Sequence, residues 1–84
     1  MPATIEQIYH TLGNQTLDAS DRWVIKWQFG ILGGFGKALA TAITTADETN
    51  LANLRLGFPT EVEGYHRWAY GDLGNRLRKL GLNI

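Results

Sequence analysis

The chain has 84 residues, 44% of them hydrophobic, and its basic and acidic side chains balance to a formal net charge of zero. A chain this short forms one domain with a thin core, because it buries only about 60% of its unfolded surface, and its apolar content excludes disorder. Neutrality gives no global field to recruit nucleic acid or anionic lipid, and the absence of cysteine excludes disulfides and thiolate metal sites.

The opening residues, MPATIEQIYH, carry no basic stretch followed by an apolar one, so no signal peptide is expected. Residues 3–12 read as a short helix. Thr4 caps it, Gln7 completes a capping box, and Ile5, Ile8, Tyr9 and Leu12 share one face before Gly13-Asn14 ends it. Residues 14–20 form a polar connection anchored by Leu17. Asp18 or Ser20 caps the next helix, whose first turn holds the carboxylate of Asp21.

From Trp23, every fourth residue is bulky: Trp23, Trp27, Ile31, Phe35, Leu39 and Ile43. The row one residue earlier is small: Gly30, Gly34, Ala38, Ala42 and Ala46. Residues four apart lie on one helical ridge, so a smooth row that admits another helix runs beside a row that fills its groove. Nothing in residues 35–56 is read as breaking a helix, and the segment is expected to be one long helix ended by Leu56-Gly57-Phe58-Pro59, with Gly57 left-handed. The glycines at 30, 33, 34 and 36 each cost roughly 1 kcal/mol against alanine in a helix interior, so a kink or break is expected at Gly33-Gly34. Lys26 and Lys37 interrupt the apolar stretch, which is too short between them for a membrane span.

After Pro59, Thr60 and Glu63 make a second capping box for a helix with Val62, Tyr65, His66 and Ala69 on one side, ending near Gly71. Asp72 caps a last helix with Leu73, Leu77 and Leu80 inward; Arg76, Arg78 and Lys79 lie near its C-terminus and Gly81 closes it. The expected fold is all-α, a small bundle of four to five helices around a central long helix, kinked or broken near Gly33-Gly34. Different parts of the bulky ridge face different helices of the chain, or the tryptophan end, with Ile25 and Phe29, packs on a second copy. On close packing at the small row, Ala42→Leu would cost about 1–3 kcal/mol.

The signals of chemistry are sparse. The glycine-rich run ending in Gly36-Lys37 has Ile31 where a phosphate loop needs glycine and Ala38 where it needs Ser or Thr. Glu63 with His66 is half of a di-metal motif, Glu6 with His10 is a second carboxylate–imidazole pair, and Ser20 lacks a nucleophile-elbow context. No catalytic residue, metal or cofactor is expected, and an enzyme is not. Asn50 and Asn53 turn toward the apolar face of a continuous helix, and Gln28 does the same in the preceding segment. Each is either bonded to a neighbouring helix end or in contact with a ligand or partner. Tyr65 and Ala69 suit the core, which leaves Arg67 and Trp68 outward beside Tyr70, residue types that dominate interface hot spots. Arg76, Arg78 and Lys79 form either a solvated helix end or a basic patch for phosphates. The candidate ligand or partner residues are Trp23, Trp27, Lys37, Asn50, Arg67, Trp68, Tyr70, Arg76 and Arg78.

The pattern Phe35-x3-Leu39-x2-Ala42-Ile43-x2-Ala46-Asp47-x2-Asn50-x3-Leu54-x2-Gly57-Phe58-Pro59-x2-Val62-x2-Tyr65 resembles small, mostly uncharacterised accessory proteins of bacteriophages and prophages. The resemblance covers the middle of the chain and brings no catalytic residues with it. It implies a protein of the host cytoplasm that acts stoichiometrically, by binding a host protein or capturing a defence signal. Three functions follow as expectations. The first is a self-associating, non-enzymatic binding protein that occupies a host factor. The second is an oligomeric sponge for a nucleotide-like immune signal, with aromatics for the base and Arg76, Arg78 or Lys37 for phosphate. The third is a nucleic-acid-binding module, which neutral charge disfavours.

Overall fold

The computed structural model describes residues 4–84, so the expected helix start at Ala3 lies outside the described residues. Among these residues the chain is all-helical, with six helices: α1 (Ile5–Leu12), α2 (Ala19–Gln28), α3 (Gly34–Thr45), α4 (Glu48–Gly57), α5 (Pro59–Ala69) and α6 (Leu73–Lys79). The capping box of Thr4 and Gln7 is formed, and Asp18 accepts from the Asp21 backbone N–H to cap α2.

The break between the second and third helices lies where the glycines lower helix stability. α2 ends at Gln28, Gly30 takes φ 68, and the extended Gly33 caps α3. The expected long helix is a different matter. It divides at Ala46, whose φ −71 and ψ 140 are extended, and Asp47 caps a separate α4 by accepting from Asn50 N at 2.8 Å. The reason is local competition for backbone groups. The hydroxyls of Thr44 and Thr45 donate to Thr41 O at 3.1 and 2.7 Å, and an aspartate just beyond them supplies a strong N-cap. No long helix is therefore central. Instead α5 touches α2, α3, α4 and α6.

Two clusters make the core. Ile8, Leu17, Val24, Ile25, Leu73, Leu77 and Leu82 form one, flanked by Trp27 and Trp68. Leu39, Ile43 and Val62 form the other with Leu51, Leu54, Phe58 and Tyr65, and Trp23 packs against both. Each fully buried Val, Ile or Leu contributes about 1.5–3 kcal/mol over leaving it exposed.

Several inward assignments change. Ile8 and Thr11 are the buried residues of α1, while Ile5 and Tyr9 are exposed. Leu80 is exposed and Leu82 is buried in its place, because Gly81 at φ 96 turns the chain back onto α6. Leu82 N donates to Leu77 O and Gly81 N to Arg78 O, the paired bonds of a glycine-closed helix end. Gly57 is not left-handed; it is the last residue of α4, followed by Phe58 at φ −134 and by Pro59 as the first residue of α5. Thr60 and Glu63 form no capping box, since proline at the first position moves the helix start back to Phe58. Asp72 stands at the cap of α6 without bonding a backbone N–H, and its Oδ1 accepts from Asn75 Nδ2 at 2.8 Å.

Candidate functional site

The cations that look available in sequence are mostly engaged within the chain. Arg67 Nη1 donates to Asp18 at 2.7 Å and to Asp21 Oδ1 at 3.1 Å, and its Nε donates to Glu63 at 3.1 Å. Arg76 Nη2 reaches the same Asp21 oxygen at 3.1 Å. Arg78 Nη1 donates to Ile84 O at 3.0 Å and Nη2 donates to Asn75 Oδ1, so this arginine holds the segment after α6. The hydrogen bond from Arg67, and then that from the Asp21 backbone, holds the Asp18 carboxyl below its ordinary value. Asp18 in turn, ahead of Asp21 and Glu63, keeps the Arg67 guanidinium charged beyond its ordinary range. Arg67, Arg76 and Arg78 are structural ties here; Lys37 remains exposed.

The aromatic candidates join the helices. Trp23 stacks on Trp27 with centroids 5.4 Å apart, and Trp27 meets Tyr65 and the edge of Trp68, each at 6.4 Å. Trp68 thus packs on the first core cluster rather than facing outward, while Ala69 is exposed. Tyr70 ends the series, 6.2 Å from Tyr65 and 77% exposed. Gly64 lets α5 approach α2: a Cβ there would stand 2.7 Å from Ser20 O. The closest helix approach seen at a glycine is therefore at Gly64, while along the expected small row Ala38 is exposed and Ala42 and Ala46 are half-buried. Glu6 and His10 lie on α1, Glu63 and His66 on α5, and among the described residues no group of three or more His, Cys, Asp or Glu side chains is arranged to hold a metal ion.

The small row is exposed at Gly34 and Ala38 and half-buried at Ala42 and Ala46. Ala42, Thr45 and Ala46 of α3 and its end face Asn50, Asn53 and Leu54 of α4 across a hollow of about 450 Å³. The division at Ala46 creates this groove, because the chain turns there and α4 leaves α3 to pack on α5, opening a corner between the end of one helix and the start of the next. Among the described residues no charged side chain lines it. Phe35, 71% exposed, lies two turns before Ala42 on α3 and meets Phe58 at 5.9 Å. Leu56, 85% exposed, lies three residues after Asn53 and so adjoins it on α4. Asn50 is exposed at the groove, and neither it nor Asn53 makes a buried side-chain bond; Gln28 is likewise exposed.

Of the candidate residues, Asn50 alone lines the groove. Trp23, Trp27 and Trp68 join the aromatic series, and the arginines join ion pairs or the C-terminal tie. Sequence reasoning missed Thr45 and Leu54 as groove residues. The available signal was the pairing of a small α3 row with two amides three residues apart. Comparison with protein-family models, with curated proteins and with solved structures finds no match to this chain. Among the described residues no helix is long and apolar enough to cross a membrane.

Proposed function

We propose that this chain is a non-enzymatic binding protein of the phage-accessory kind, which occupies a host protein stoichiometrically through the α3–α4 groove. The observation that carries the reading is a groove whose described lining is uncharged, with the uncovered Leu56 one turn beyond Asn53 on α4 and the uncovered Phe35 two turns before Ala42 on α3. Apolar patches of this kind, rimmed by polar groups, mark interaction sites, and interface centres are depleted of charge. The small floor at Ala42 and Ala46 suits an amphipathic helix laid along it, with its apolar anchors between Phe35 and Leu54. Asn50 and Asn53 supply donors and acceptors at the rim, where they set register. On this reading the protein acts in the host cytoplasm, and the engaged arginines stiffen the scaffold rather than do chemistry.

The test is affinity capture from bacterial host lysate with the parent, Ala42→Arg and Tyr70→Ala, each checked for helicity. The parent and Tyr70→Ala should retain one host protein in stoichiometric amount, and Ala42→Arg should lose it. Equal retention by Ala42→Arg would reject the groove as the binding surface. Sedimentation of the same three proteins separates self-association through this groove from capture of a host partner. A groove-dependent dimer would shift to monomer in Ala42→Arg alone.

A further inference from the structure

Arg22 follows Asp21 in α2 and yet stays outside the Arg67–Arg76 network. Its Nη2 donates to Asn14 O at 3.3 Å, while its Nε is buried without an acceptor, the buried side-chain polar atom left unpartnered among the described residues. A buried donor in this state is costly, and a charged one more so. Arg22 lines a hollow of about 350 Å³ together with Trp23, Lys26, Leu32, Thr60 and Glu61.

The lining has a consistent chemistry. Arg22 and Lys26 stand one turn apart on α2, where like charges repel. Among the described residues neither forms a salt bridge, and Glu61 is the one carboxylate in the wall. Thr60 and Glu61 belong to the first turn of α5, whose cap residue Phe58 offers no side-chain acceptor, so the helix adds positive potential on that side. Trp23 and Leu32 give an aromatic and an apolar surface beside the cations.

We infer that this hollow binds a small phosphorylated molecule with a flat ring system, a nucleoside monophosphate in chemical class. Lys26 takes the phosphate with the charge of Arg22 beside it, Trp23 and Leu32 cover the base, and Glu61 accepts from an exocyclic amine. The volume lies at the low end of small-molecule pockets, about 300–1,000 Å³. The inference stands apart from the α3–α4 groove and does not rest on it.

The test is titration of the full chain with AMP, GMP and inorganic phosphate at low salt, followed by calorimetry and tryptophan fluorescence. Lys26 is exposed, so Lys26→Gln keeps the fold. AMP or GMP should bind saturably at one site and alter tryptophan emission. Lys26→Gln should weaken that binding by about tenfold or more, and added salt should weaken it further. No saturable nucleotide binding at millimolar concentration, or equal affinity in Lys26→Gln, would overturn the inference. Inorganic phosphate bound as tightly as AMP and GMP would remove the nucleotide class, because the ring would then add nothing.

Discussion

Arg67 on α5 donates to Asp21 on α2 at 3.1 Å, and that aspartate is only 2% exposed. Arg76 on α6 donates to the same oxygen at 3.1 Å, so one buried carboxylate ties three helices. Removing one cation leaves the carboxylate partly uncompensated in a place that water cannot reach. Arg67→Ala is expected to cost about 2–4 kcal/mol in urea unfolding. Arg76→Ala should cost less, because Arg67 would still hold Asp21 together with Asp18 and Glu63. Equal losses in the two variants would show that the extra partners of Arg67 contribute nothing.

The same arginine gives stability an acid limb. Its hydrogen bond, followed by that of the Asp21 backbone, lowers the Asp18 pKa beneath the ordinary 3.8. A group whose folded-state pKa is depressed adds stability that is present above its unfolded value and fades as pH falls through the folded one. The parent should therefore lose Tm as pH drops below 3.8. Asp18→Asn, which cannot titrate, should start from a lower Tm at neutral pH and lose less over that range. An acid limb of equal depth in both proteins would show that Asp18 is not a source of it.

Local features were legible in the residues themselves: the Thr4–Gln7 box, the Asp18 cap, the Leu17 anchor and the turn at Gly81. Each depends on neighbours within a few positions, where capping and periodicity operate. The division at Ala46 was also local, and the Thr44-Thr45 hydroxyls beside Asp47 were its signal; a smooth apolar pattern through the segment concealed it. The ion network was not readable, because Arg67 and Arg76 lie 46 and 55 positions from Asp21. Which face the small row presents depends on where α4 goes after Ala46, and periodicity in α3 carries no information on that. The same limit put Trp68 outside and left the groove unseen.

Gly64 is where helix contact is closest, and its substitution should show it. An added Cβ would stand 2.7 Å from Ser20 O, 3.0 Å from Val24 Cγ2 and 3.3 Å from Trp23 Cε3. The first of these is backbone, so α2 and α5 must separate. Gly64→Ala is expected to destabilise by about 1–3 kcal/mol, despite a helix-propensity gain of about 1 kcal/mol. Ala42→Leu, which the sequence pattern would rank as the harmful change, should stay within about 0.5 kcal/mol, as substitutions away from packed contacts do. Urea unfolding of both variants tests the contrast, and a larger loss in Ala42→Leu would reverse the assignment of the tight contact.

Two glycines with open space around them should respond in opposite directions. Beyond their chain neighbours and local helix backbone, neither Gly30 nor Gly57 has an atom of the described residues within 4 Å of an added Cβ, so backbone conformation decides the outcome. Gly30 sits at φ 68, where a Cβ crowds the following carbonyl, and Gly30→Ala is expected to cost about 1–2 kcal/mol. Gly57 closes α4 without a positive φ, so alanine there removes unfolded-state freedom at no strain. Gly57→Ala is expected to stabilise by about 0.4–1 kcal/mol. Thermal unfolding of the pair reads this directly: Tm should fall for the first and rise for the second. A loss at Gly57 comparable to that at Gly30 would mean that the α4–α5 corner needs a left-handed residue after all.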